Sequence, residues 1–157
     1  MSAALHSKLD IARAQLGSAV MLFANEIDGV SAITLAGAAD VILSQLLLNA
    51  GKKNFSDELM KKEAETSGVM PARDAHGHAV NNMLMINALK HMDSGDDDFL
   101  EMDVFVSSLA TVAKAVANYV MLIGVSAHEQ DFVKVFKMWA TIHAPKGLDE
   151  DGNPIRV

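Results

Sequence analysis

Apolar side chains at Leu5, Leu9, Ala12, Leu16, Ala19, Val20, Phe23 and Ile27 recur in steps of three and four, with Lys8, Arg13, Gln15 and Glu26 between them. That spacing predicts an amphipathic helix with one core-facing stripe. Asp28 and Gly29 end it in this reading, because glycine follows a helix at little steric cost. A second helix is predicted over 32–49, capped by Ser31 and ended at Gly51. It is apolar on most sides, so it belongs in the centre of a bundle or in a dimer interface. Its Ala36, Gly37, Ala38 and Ala39 leave a flat surface that another backbone can approach closely.

Ser56, Asp57 and Glu58 open a short polar helix that Ser67 and Gly68 stop. Pro71 begins a looser polar segment, PARDAHGHA. Apolar periodicity resumes at Val80, Leu84, Ile86 and Leu89, and predicts a fourth helix ending near His91 or Met92, followed by the acidic loop DSGDDD. Asp103 can cap a fifth helix running to about Ile123, with Gly124 after it. Ser126 and Glu129, three apart, have the spacing of a capping box for a sixth helix that carries Phe132, Val135, Phe136 and Trp139. The expected architecture is all-α, a single bundle of five or six helices over 1–144 with an irregular tail over 145–157.

Composition agrees with the pattern. The 157 residues are 50% hydrophobic but only 5% aromatic, with 3 Pro. Ala, Leu and Met favour helices, and the scarce aromatics would favour strands. The formal charge of -7 opposes generic binding to a phosphate backbone. With 0 Cys, disulfides, thiolate metal sites and cysteine nucleophiles are excluded. Asp40, Lys114 and Asn118 interrupt the longest apolar runs, so no membrane span is expected and the chain reads as cytoplasmic.

Two stretches carry a resemblance. VSAITLAGAADVILSQLL (30–47) is an apolar helix with a small-residue centre, and NALKHMDSGD (87–96) closes the fourth helix. Together they resemble small, largely uncharacterised bacterial proteins with a HEPN-like helical fold, in which an LAGAAE-type helix pairs with an N-x-x-K-H-x-D element. The resemblance runs from the first helix through about Asn118. It implies a helical bundle that often dimerises, and for many members a ribonuclease signature of Arg, a polar residue, three variable residues and His. Asn87 and His91 match the polar residue and the His, while Ile86 holds the Arg position. Arg73 and His78 repeat the Arg-to-His spacing in the loose segment, where it is read as coincidence.

On a continuous fourth helix Asn87 and His91 would share a face. They could then position an RNA 2′-hydroxyl or phosphate, with His91 as general acid or base. Asn87, Lys90, His91 and Asp93 are therefore the candidate ligand-binding residues, and Asn87 and His91 the candidate catalytic pair. The plainer reading makes His91 and Lys90 cations at a helix C-terminus. Asp93, Asp96, Asp97 and Asp98 lack EF-hand spacing and read as a solvated loop. His76, His78 and His91 lack a paired metal-ligand spacing, so neither a metal nor another cofactor is expected. The functional expectation is a non-catalytic or weakly catalytic HEPN-like homodimer that binds a nucleotide or RNA. An active metal-independent ribonuclease, with a nucleotidyltransferase-type partner protein, is one alternative. A protein that acts only through its dimer surface is the other.

Overall fold

The computed structural model describes residues 4–90 and 98–143. Within them lie α1 (Lys8–Ala24), α2 (Gly29–Asn49), α3 (Phe55–Ser67), α4 (Arg73–Met83), α5 (Val104–Ile123), a 3₁₀ turn (Val125–Glu129) and α6 (Asp131–His143). No strand occurs among the described residues, so the all-α expectation holds.

α2 is the centre of the bundle, flanked by α1 and α5, with α6 laid against α1. Of the stripe predicted for α1, Ala12, Leu16, Ala19, Val20 and Phe23 are buried and Leu9 packs against them, whereas Leu5 and Ile27 fall outside the helix and are exposed. The buried ones meet Ala32, Ala36, Ala39 and Leu43 of α2 and Val112, Ala115, Val116 and Tyr119 of α5. So many alanines bring the helix axes close, and larger side chains fill the ends of the core. There Tyr119 meets Phe132 edge-on at 5.1 Å between ring centroids, and Phe23 meets Trp139 at 4.6 Å.

α2 and α5 have the length and apolarity of membrane spans. The polar residues that interrupt them, Asp40, Lys114 and Asn118, bond to one another where the two helices pack.

Several ends differ from the sequence reading. α1 stops at Ala24, with Glu26 at φ 53, and Gly29 is the first residue of α2 instead of the end of α1. Its missing side chain matters, since a Cβ there would lie 2.5 Å from Val104 Cγ1. The cap of α2 is Asp28, which accepts from the Ser31 amide at 3.0 Å. Ser31 itself donates its hydroxyl to the Asp28 carboxylate. This contact and the Ser31 amide hold the Asp28 carboxyl below its ordinary pKa. Residues 125–129 form a 3₁₀ turn in place of a capping box, and α6 begins at Asp131.

The largest difference is α4. The segment read as loose, 71–79, supplies most of this helix, while the apolar stretch after it is a turn, with Met85 at φ 60. Val80, Leu84 and Ile86 are spaced for burial and are buried against Ile33 of α2, but only Val80 stands on a helix, and the bend after α4 brings in Leu84 and Ile86. Ile86 sits against Gly37, where a Cβ would come within 3.0 Å of Ile86 Cγ2. The small-residue patch of α2 is therefore a seat for the turn after α4.

A polar cavity walled by α2, α3 and α4

Asp40, Ser44 and Leu48 recur every four residues along α2, and all line a cavity of about 540 Å³. Lys114 of α5 closes its floor, Asp57 of α3 and the residue capping that helix, Asn54, form one wall, and Arg73, His76, His78 and Asn81 of α4 form another.

The floor is a buried polar network. Lys114 donates to Asp40 Oδ2, and the two side chains are only 8% and 5% exposed. Asn118, four residues along α5 from Lys114, donates to Asp40 Oδ1 at 2.6 Å and to Ser44 Oγ at 3.2 Å. Its carbonyl accepts the Phe55 amide at 2.7 Å. One buried asparagine thus ties α2, α5 and the first residue of α3 together. Both charges lie in a low-dielectric setting and are tolerated because they pair.

From that anchor the order passes outward. Asn54 accepts the Asp57 amide at 2.9 Å, and Asp57 Oδ2 accepts the Asn54 amide at 2.9 Å, a reciprocal capping box. The same Asp57 oxygen accepts Arg73 Nη2 at 2.9 Å, which docks α4 on α3. His76 adds a second strut, its Nδ1 3.4 Å from Glu63 Oε2. The Nε2 of His76 is buried without a hydrogen-bond partner among the described residues. His76 also borders a second cavity of about 420 Å³, lined by Leu59, Val80 and Met83. α4 starts after Ala72, which supplies no side-chain cap.

Of the residues expected to form a site, the two that are described, Asn87 and Lys90, lie apart from this cavity. Asn87 is half-buried and donates to Asn82 Oδ1 at 2.8 Å. Lys90 is exposed, and neither residue lines either cavity. α4 ends at Met83, so the continuous helix that would align Asn87 with His91 is absent. His91 and Asp93 lie outside the described residues, as do Asp96 and Asp97. Ile86, at the position where the HEPN signature has Arg, is 3% exposed core.

Sequence reasoning passed over Arg73 and the floor pair as site residues. The signal for the pair was present, because an Asp and a Lys inside strongly apolar helices need partners. Among the described residues no three of His, Asp and Glu come together as metal ligands. No family model, no curated protein and no solved structure matches the chain.

Proposed function

We propose that the chain is a HEPN-like helical protein that binds a nucleotide, or one nucleotide unit of an RNA, in the cavity between α2, α3 and α4. The observation that carries this reading is the gathering of Arg73, His76 and His78 of α4 on the cavity that has Lys114 at its floor. Arg73 bonds Asp57 through one nitrogen, and a guanidinium has five N–H donors, enough left over for a phosphate. The first-turn amides of α4, with no side-chain cap, add partial positive charge on the same side. The lining sets the carboxylates of Asp40, Asp57 and Asp74 against the cations Lys114 and Arg73, so an anion there is received by the remaining donors of Arg73 and not by a net positive charge. About 540 Å³ lies within the range of small-molecule sites. The charge of -7 favours a compact ligand over a long phosphate backbone.

A second reading rests on the same helix. Arg73, Asp74 and His78 fit the order of Arg, polar residue, three residues and His that the HEPN ribonucleases carry. On α4 that order faces a cavity, which favours cleavage chemistry there over the Asn87 element.

The test is the thermal midpoint of the full chain with ribonucleoside monophosphates and a short single-stranded RNA. A ligand at 100 times its Kd stabilises by about 2.7 kcal/mol, or roughly 5–11 °C for a domain of this size. The rise should vanish in Arg73→Ala. No rise with any nucleotide or RNA refutes the proposal. Cleavage of the RNA by the parent, abolished in His78→Ala, selects the ribonuclease reading.

A further inference from the structure

We infer that the buried Asp40–Lys114 pair reads the edge of the ligand's base, and that it selects guanine or uracil. This inference rests on the nucleotide reading above.

The pair has hydrogen-bonding capacity left over. An ammonium has three donors, and among the described residues Lys114 shows one partner, Asp40. A carboxylate has about four acceptor sites, and among the described residues Asp40 shows two donors, Lys114 and Asn118. Both side chains are more than nine-tenths buried, yet both border the cavity. Stability is a weak reason for such an arrangement, since a buried ion pair is often no better than an apolar pair of the same volume. Asn118 donates to the other carboxylate oxygen, so the orientation of Asp40 is fixed before any ligand arrives.

A donor cation beside an acceptor anion matches a ligand that sets an acceptor beside a donor. The charged pair bonds most strongly when the acceptor is a carbonyl oxygen and the donor an acidic ring N–H. Guanine and uracil have that lactam edge, whereas adenine and cytosine offer a ring nitrogen beside an amino group. Val41 and Leu48, which border the same space from α2, supply apolar surface for the ring. The remaining donors of Arg73, on α4, are left for the phosphate.

The experiment is calorimetric titration of the full chain with GMP, UMP, AMP and CMP. GMP or UMP should bind about tenfold or more tightly than AMP and CMP. Arg73→Ala should weaken all four alike. The double variant Asp40→Leu with Lys114→Met should keep its thermal midpoint within a few degrees and bring the four to one weaker level. Asp40→Asn, which preserves volume, should shrink the preference if the double variant does not fold. Equal binding of the four by the parent, or a preference for AMP or CMP, overturns the base-edge assignment and leaves the nucleotide reading standing. A preference that survives in the double variant overturns it too. Absence of binding by all four nucleotides overturns both.

Discussion

Asn118→Ala should be among the most damaging single truncations in the polar half of the molecule. The side chain is completely buried and serves three partners at once. Its loss strips Asp40 Oδ1 of a donor and the Phe55 amide of an acceptor. A buried partner left unmatched costs about 1–3 kcal/mol. Asp40 keeps Lys114 and the Phe55 amide is only half-buried, so the lower half of that range applies to each, giving a sum of about 3 kcal/mol. One kcal/mol corresponds to about 2–4 °C in a domain of this size. The expected drop is therefore roughly 6–12 °C, read by circular dichroism against the parent in one buffer. Asn81→Ala is the control. That residue lines the same cavity, but its side chain makes no hydrogen bond among the described residues, so its loss should cost within about 0.5 kcal/mol. A drop of less than about 2 °C for Asn118→Ala would refute the view that this residue joins α3 to the bundle.

Three further outcomes are expected. Arg73→Ala should abolish nucleotide stabilisation while lowering the unliganded midpoint by no more than a few degrees, because a half-exposed ion pair contributes only about 0–1 kcal/mol. Gly29→Ala should destabilise by roughly 1–3 kcal/mol through overpacking on Val104, and Val104→Ala in the same chain should recover most of it, a coupling that a double-mutant cycle in urea measures. Ser31→Ala should raise the Asp28 carboxyl titration followed by NMR, since the Ser31 hydroxyl is the largest cause of its depression. With Ser31 present, the contribution of this cap is full above the unfolded carboxyl pKa and is lost as pH falls through the lowered folded value.

α1 and α2 were legible because their apolar pattern and their burial are the same fact. The stripe from Ala12 to Phe23 and the small residues of α2 needed only period and size to be read. α4 was not legible for the complementary reason. Its one buried residue is Val80, so it has almost no apolar period, and what holds it are the contacts of Arg73 with Asp57 and His76 with Glu63 on α3. The run Val80, Leu84, Ile86 imitates a helix because a tight bend against α2 buries the same residue types. Asp40 and Lys114 stand 74 positions apart, and no local pattern couples residues at that distance. For the same reason the cavity was not legible as a candidate site. Adjacent polar residues such as Asn87 and Lys90 attract attention in a sequence, while a cavity is assembled from residues that become neighbours only after folding.

The thin attachment of α3 and α4 has a kinetic consequence. α3 buries no residue completely, and with α4 it meets the bundle mainly at the Phe55 amide and at the Val80–Ile86 seat. Segments with few buried contacts open with a smaller free energy than the whole molecule. Amide protons of α3 and α4 should therefore exchange well before those of α1, α2 and α5, and a protease should nick the link at 68–72 while the remaining core stays intact. The wall of the cavity is thus the part of the molecule that unfolds first, and a bound ligand would register as slowed exchange in these two helices before any change in the core.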